Sequence, residues 1–129
     1  MLTKKTLFKT LILAVLFVYF GVVIYSAVNA EGIKALFGIN NATKENLHFI
    51  EFALLYLLII AALAIWGQLS LLTIVLVAII CLGAGVLDEY HQTFVPGRTA
   101  SYFDVFKDGV GIFFVWYIVS LCYLRRHQG

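Results

Sequence analysis

Asp88-Glu89-Tyr90-His91-Gln92-Thr93-Phe94-Val95-Pro96-Gly97-Arg98, followed shortly by Asp104 and Asp108, is a polar island in a chain that is otherwise almost entirely hydrocarbon. Carboxylates, an imidazole, an amide and a guanidinium crowd into a few turns, with long apolar runs on both sides. Of 129 residues, 63% are hydrophobic and only 12% charged. A soluble domain is about half apolar, so the island is the mouth of a membrane protein and not part of a soluble surface. Ionisable groups at the edge of a bilayer are costly, which makes them candidates for function.

Working outward, the apolar runs are each long enough to cross a hydrocarbon core of ~30 Å at about 1.5 Å per residue. The expected fold is an all-α, single-domain integral membrane bundle of four transmembrane helices, at residues 7–28, 47–66, 69–92 and 104–124. The short basic start, Lys4, Lys5 and Lys9, precedes the first span. Val28-Asn29-Ala30 has the small-residue pattern of a signal-peptidase site; the length of the apolar run favours a retained helix, with cleavage as the alternative. Residues 31–46 read as a loop, with an amphipathic piece at 33–39 lying along the membrane surface, Thr43 as N-cap of the second span and Glu45 in its first turn. Trp66-Gly67-Gln68 reads as a tight turn with Trp66 in the headgroup layer. Pro96-Gly97 suits the centre of a type II turn that returns Arg98 toward the helix ends.

Helical spacing arranges the polar groups. His48 and Glu51 share a face of the second span. Cys81, Gly85, Asp88 and Gln92 lie near one line of the third, flanked by Ala84, Glu89 and His91, and the small residues permit close helix approach. Asp104, Asp108, Gly111 and Val115 share a face of the fourth. The start of span two, the end of span three and the start of span four are at one membrane level. One pocket is therefore expected from His48, Glu51, Asp88, Glu89, His91, Gln92, Arg98, Asp104 and Asp108.

Histidine beside a carboxylate suits a general base or nucleophile. Arg98 offers a fork of donors for phosphate. The clustered acids could hold a hard divalent cation, and the sequence leaves any metal unassigned. These types favour His48, Glu51, Asp88 and Gln92 as the catalytic set, and Arg98, Asp104, Asp108, Glu89 and His91 as the binding set. The competing reading is a salt-bridge network that locks the bundle; for Glu89 and His91 the two weigh equally, and Lys107 reads as a snorkelling side chain. The net charge of +2 and the absence of a basic run exclude nucleic acid as a partner. Cys81 and Cys122 lie at different depths and have no metal-type spacing. The termini carry Lys4, Lys5, Lys9, Arg125 and Arg126 with no acid, which places both in the cytoplasm by a slight excess.

The same residues resemble a known family. The Asp88–Arg98 stretch with Asp104-Val105, Asp108 and Gly111 looks like the signature of the VanZ-like membrane proteins, and His48-Phe49-Ile50-Glu51-Phe52-Ala53 looks like that family's other characteristic block. The resemblance covers spans two to four; the first helix matches only in being apolar. It implies a multi-pass protein of the bacterial plasma membrane, in a family whose founding members are associated with resistance to the glycopeptide teicoplanin without remodelling of the peptidoglycan precursor terminus. It also implies kinship with enzymes that act on lipid headgroups, which would make membrane lipids, a phosphate-bearing lipid or polyprenol, or a glycopeptide the partners, with oligomers open. Lys107, where the family is usually apolar, and Glu45, where a basic residue is common, depart from the pattern. The alternatives to an enzyme are a non-catalytic lipid- or antibiotic-binding envelope protein and a small proton-coupled carrier.

Overall fold

A computed structural model of the chain describes residues 3–28, 38, 41–96 and 100–128, with the side chains of 23, 24, 26–28 and 41–49 outside that description. Outside it therefore lie Asn29 and Ala30 of the cleavage-like motif, the surface piece at 33–39 apart from Gly38, the side chains of Thr43, Glu45 and His48, and Gly97 and Arg98. Four helices, and no strand among the described residues, make up the fold: α1 (Lys4–Val28), α2 (Asn41–Trp66), α3 (Leu71–Gln92) and α4 (Tyr102–Gln128). Stretches Lys4–Val22, Leu71–Gln92 and Tyr102–Gln128 are long and apolar enough to cross a membrane, and α2 contributes the apolar stretch Ile50–Trp66.

Five boundaries differ from expectation: the starts of all four helices and the end of α4. Helix α2 begins at Asn41, so the loop expected through 46 is helical from 41 and Thr43 lies inside the helix instead of capping it. A first turn that is polar can still be helical when it stands outside the hydrocarbon, where hydropathy no longer marks the boundary. Helix α4 runs from Tyr102 to Gln128, past both expected ends, for the same reason. Helix α3 starts at Leu71 behind a reciprocal cap: Thr73 N–H donates to Ser70 Oγ at 3.1 Å and Ser70 N–H to Thr73 Oγ1 at 2.8 Å.

The α2–α3 turn is tight because Gly67 takes φ +71°. Gly67 N–H then donates to the Ala64 carbonyl and Gln68 N–H to the Leu63 carbonyl, closing the end of α2 with a glycine in the left-handed region. Consecutive helices run antiparallel, and cross-contacts record it. Lys9 Nζ, near the start of α1, lies 5.4 Å from the Trp66 ring at the end of α2. The Tyr19 hydroxyl, further along α1, donates to the Glu51 carbonyl of α2. Tyr56 Oη donates to the Ile74 carbonyl of α3 at 3.1 Å.

The core is a seam of Phe52, Leu55, Tyr56 and Ile60 from α2, Ile74, Val77 and Cys81 from α3, and Ile112 from α4. Its i, i+3, i+4 spacing is that of one helical face. Helix α4 packs against both α2 and α3, whereas α1 packs chiefly on α2 and leaves most of its surface uncovered. Large apolar side chains such as Phe17, Leu72, Leu87 and Phe114 point outward. In water that surface would drive aggregation; in a bilayer it is the lipid-facing coat.

Candidate functional site

At one end of the bundle the polarity inverts. Among the described residues the buried polar or charged side chains are Glu89, Gln92 and Asp108, at 5%, 5% and 1% exposure. All three belong to the end of α3 or the beginning of α4. Those two ends are brought together by the short link after Gln92, whose first residues continue the winding: Phe94 N–H donates to the His91 carbonyl and Val95 N–H to the Gln92 carbonyl.

Each buried group has a local reason for its place. Gln92 Nε2 donates to Asp88 Oδ2 at 2.8 Å, an i, i+4 pair one turn apart. The amide acts as a donor to a half-buried carboxylate and fixes which oxygen faces α3's own surface. Glu89 Oε1 accepts from the Ser101 backbone N–H at 2.5 Å, which ties the last turn of α3 to the residue before α4. Ser101 also caps α4: its Oγ accepts from Phe103 N–H at 3.2 Å. Asp108, the least exposed of the group, sits against Gly85. A methyl group added at Gly85 would come within 3.2 Å of Asp108 Oδ2. The carboxylate occupies the room that glycine leaves on the facing helix.

Asp104 is half-buried and forms an ion pair with Lys107, Nζ to Oδ1 3.0 Å, while that ammonium also lies 4.9 Å from the Phe103 ring. The pair neutralises Asp104 within its own helix and gives Lys107 a definite partner. Glu51 is half-buried on α2, and its backbone carbonyl takes the Tyr19 hydroxyl. Counting outward from the Gly67 turn along the antiparallel pair, Glu51 falls opposite Val86, about one helical turn short of Glu89. His48 lies one turn nearer the start of α2.

The structure thus places Asp88, Glu89, Gln92 and Asp108 at one end of the bundle, Gln92 bonded to Asp88 and Asp108 set against Gly85, with Asp104 at the same end and Glu51 at a neighbouring level. His91 is the exception. Expected beside the site, it is exposed, because Glu89 and Gln92 both turn inward and His91 is rotated about 100° from Gln92. Glu89, expected only as a flank, is buried. Two contributors went unnoticed in the sequence. Ser101 serves mainly through its backbone, which no side-chain pattern reveals. Tyr19 had a visible signal, a lone hydroxyl in the middle of an apolar span.

A cleft of about 530 Å³ opens between the end of α3 and the start of α4, lined by Val86, Glu89, Tyr90, Thr93, Ala100, Ser101, Tyr102 and Val105. One carboxylate, Glu89, and four hydroxyl-bearing residues, Tyr90, Thr93, Ser101 and Tyr102, stand among aliphatic groups. Such a cleft suits an amphiphile with a polar head. Among the described residues no three of His, Cys, Asp and Glu are grouped to hold a metal ion, so no step is assigned to one. Cys81 is buried, Cys122 is exposed and both are free thiols.

A family model described as VanZ/LLP1 matches residues 3–123, nearly the whole chain. No curated protein and no solved structure is significantly similar to it.

Proposed function

The chain belongs to the VanZ/LLP1 family, and from that premise we propose that it works in the bacterial plasma membrane on the polar head of a phosphate-bearing lipid or polyprenol, with a link to glycopeptide tolerance. The observation that carries this reading is the burial of Glu89, Gln92 and Asp108 at one end of an otherwise apolar bundle, beside a cleft open to an amphiphile. An ionisable group within a span costs on the order of 3 kcal/mol, and a role in chemistry or recognition accounts for several such groups at one level. In this reading both termini are cytoplasmic and the site faces the outer leaflet.

The roles follow from residue type and position. His48 is the base or nucleophile, one turn from Glu51 on the same face of α2. Asp88, held by the Gln92 amide, or Glu51 orients the imidazole. Arg98 receives the phosphate. Asp108 and Glu89 form the acidic wall against which a leaving group or a substrate hydroxyl is placed. His91 and Asp104 belong to the rim, the latter neutralised by Lys107.

Reconstitution into vesicles containing headgroup-labelled bacterial lipids tests the proposal. Wild-type protein is expected to release or exchange label. His48→Ala is expected to lower that rate by about a hundredfold or more, the usual scale of a lost general base, and Arg98→Ala to weaken substrate use. Absence of turnover, with teicoplanin tolerance nevertheless lost in His48→Ala cells, would assign the site to binding and overturn the enzymatic reading.

A further inference from the structure

At the opposite end of the bundle, the end that carries both termini, lies a second groove. It has a volume of about 470 Å³ and runs between the α2–α3 turn and the last turns of α4. Its floor is apolar, with Leu69 and Val119, and the backbone around Gly67 closes one side. Its mouth is cationic, with Arg126 and His127. Cys122 and Arg126 are one turn apart, so the groove follows a single face of α4 from hydrocarbon depth to the water.

Charge along the chain is sharply segregated. All seven carboxylate side chains, Glu31, Glu45, Glu51, Asp88, Glu89, Asp104 and Asp108, lie outside the segments that build this end, whereas Lys4, Lys5, Lys9, Arg125 and Arg126 all lie within them. Among the described residues no acidic side chain competes for Arg126. His127 is held in place: its Nδ1 lies 2.9 Å from the Tyr123 carbonyl and its ring stacks on Tyr123 at 4.2 Å between centroids. A carbonyl only accepts, so Nδ1 carries the proton and Nε2 is the nitrogen directed away from the helix backbone. A cationic mouth over an apolar trough, with no acidic side chain beside it among the described residues, is complementary to one component of a membrane, an anionic phospholipid.

We propose that this groove is a binding site for an anionic phospholipid of the leaflet bordering the termini, with the lipid phosphate at Arg126 and one acyl chain along Leu69 and Val119. It is separate from the acidic site at the other end and serves to seat this end of the bundle in that leaflet.

Native mass spectrometry of the detergent-purified full chain, titrated with phosphatidylglycerol or with phosphatidylcholine of the same acyl chains, reads the site directly. One phosphatidylglycerol is expected to be retained in preference to phosphatidylcholine. Arg126→Gln is expected to reduce retention about fivefold, the scale of one basic side chain near an anionic lipid. Cys122→Trp, which fills the trough at an exposed position, is expected to reduce it for both lipids. Lys5→Gln, which removes a charge at the same end outside the groove, is expected to change little. Equal retention of the two lipids by wild-type protein would overturn the proposal, as would a loss in Lys5→Gln equal to that in Arg126→Gln, since attraction would then belong to the basic end as a whole. Helicity by circular dichroism verifies that each variant is folded.

Discussion

Gly85 and Asp108 show how closely the polar end is fitted. The carboxylate lies where a β-carbon on the facing helix would crowd it to 3.2 Å. Gly85→Ala is therefore expected to push Asp108 aside and to destabilise the bundle by about 1–3 kcal/mol, the scale of overpacking in a filled interior; thermal unfolding of the detergent-solubilised protein measures it. The Gln92–Asp88 bond makes a second, separable prediction. Gln92→Leu keeps the volume but strips a donor from a partly buried carboxylate, an effect of about 1.5–3 kcal/mol on stability. In the same assay Gln92→Glu should be worse than Gln92→Leu, because it adds a like charge beside Asp88. Both predictions rest on small residues and amides that the sequence pattern already grouped on the inner line of α3. The inward turn of Glu89 and the outward turn of His91 were not legible there. Neighbouring residues on a helix are about 100° apart, and the spacing alone left open which members of Asp88-Glu89-Tyr90-His91-Gln92 would win the interior.

Among the elements, α1 and α4 are opposites. Helix α4 is wedged between α2 and α3, and its start is held twice by Ser101, through the cap to Phe103 N–H and through the backbone bond to Glu89. Ser101→Ala removes the cap alone and is expected to cost about 0.5–2 kcal/mol. Hydrogen exchange should show the loss in the first turn of α4, with the Glu89 bond retained. Helix α1 instead leans on α2, with the Tyr19 hydroxyl on the Glu51 carbonyl and Lys9 over Trp66. Tyr19→Phe should release that tether for about 0.6 kcal/mol, the usual size of a hydrogen bond between membrane helices, and increase exchange in α1 more than in α4. Helix existence was readable from the apolar runs. The early start of α2 at Asn41 was not, because hydropathy reports where hydrocarbon begins and a helix can extend beyond it into water.

For the whole molecule the governing facts are an apolar outside, a polar inside at one end, and carboxylates segregated from the basic termini. With four antiparallel helices the two termini share a side. Epitope tags fused at each end are expected to be cut together by protease in inside-out vesicles and protected together in spheroplasts. One tag cut and the other protected would mean an odd number of crossings and would separate the acidic site from the leaflet assigned to it.

Composition and periodicity by themselves determined that this chain is a helical membrane protein and which stretch of polar residues stands out. Those properties are local: they depend on the transfer energy of consecutive residues and on a repeat of 3.6. Only the tertiary structure decided that Asp108 nests against Gly85, that Ser101 binds Glu89 and that His91 faces away. Each of those outcomes depends on how two helices are rotated and offset against each other, and that is set by the packing of side chains distant in sequence.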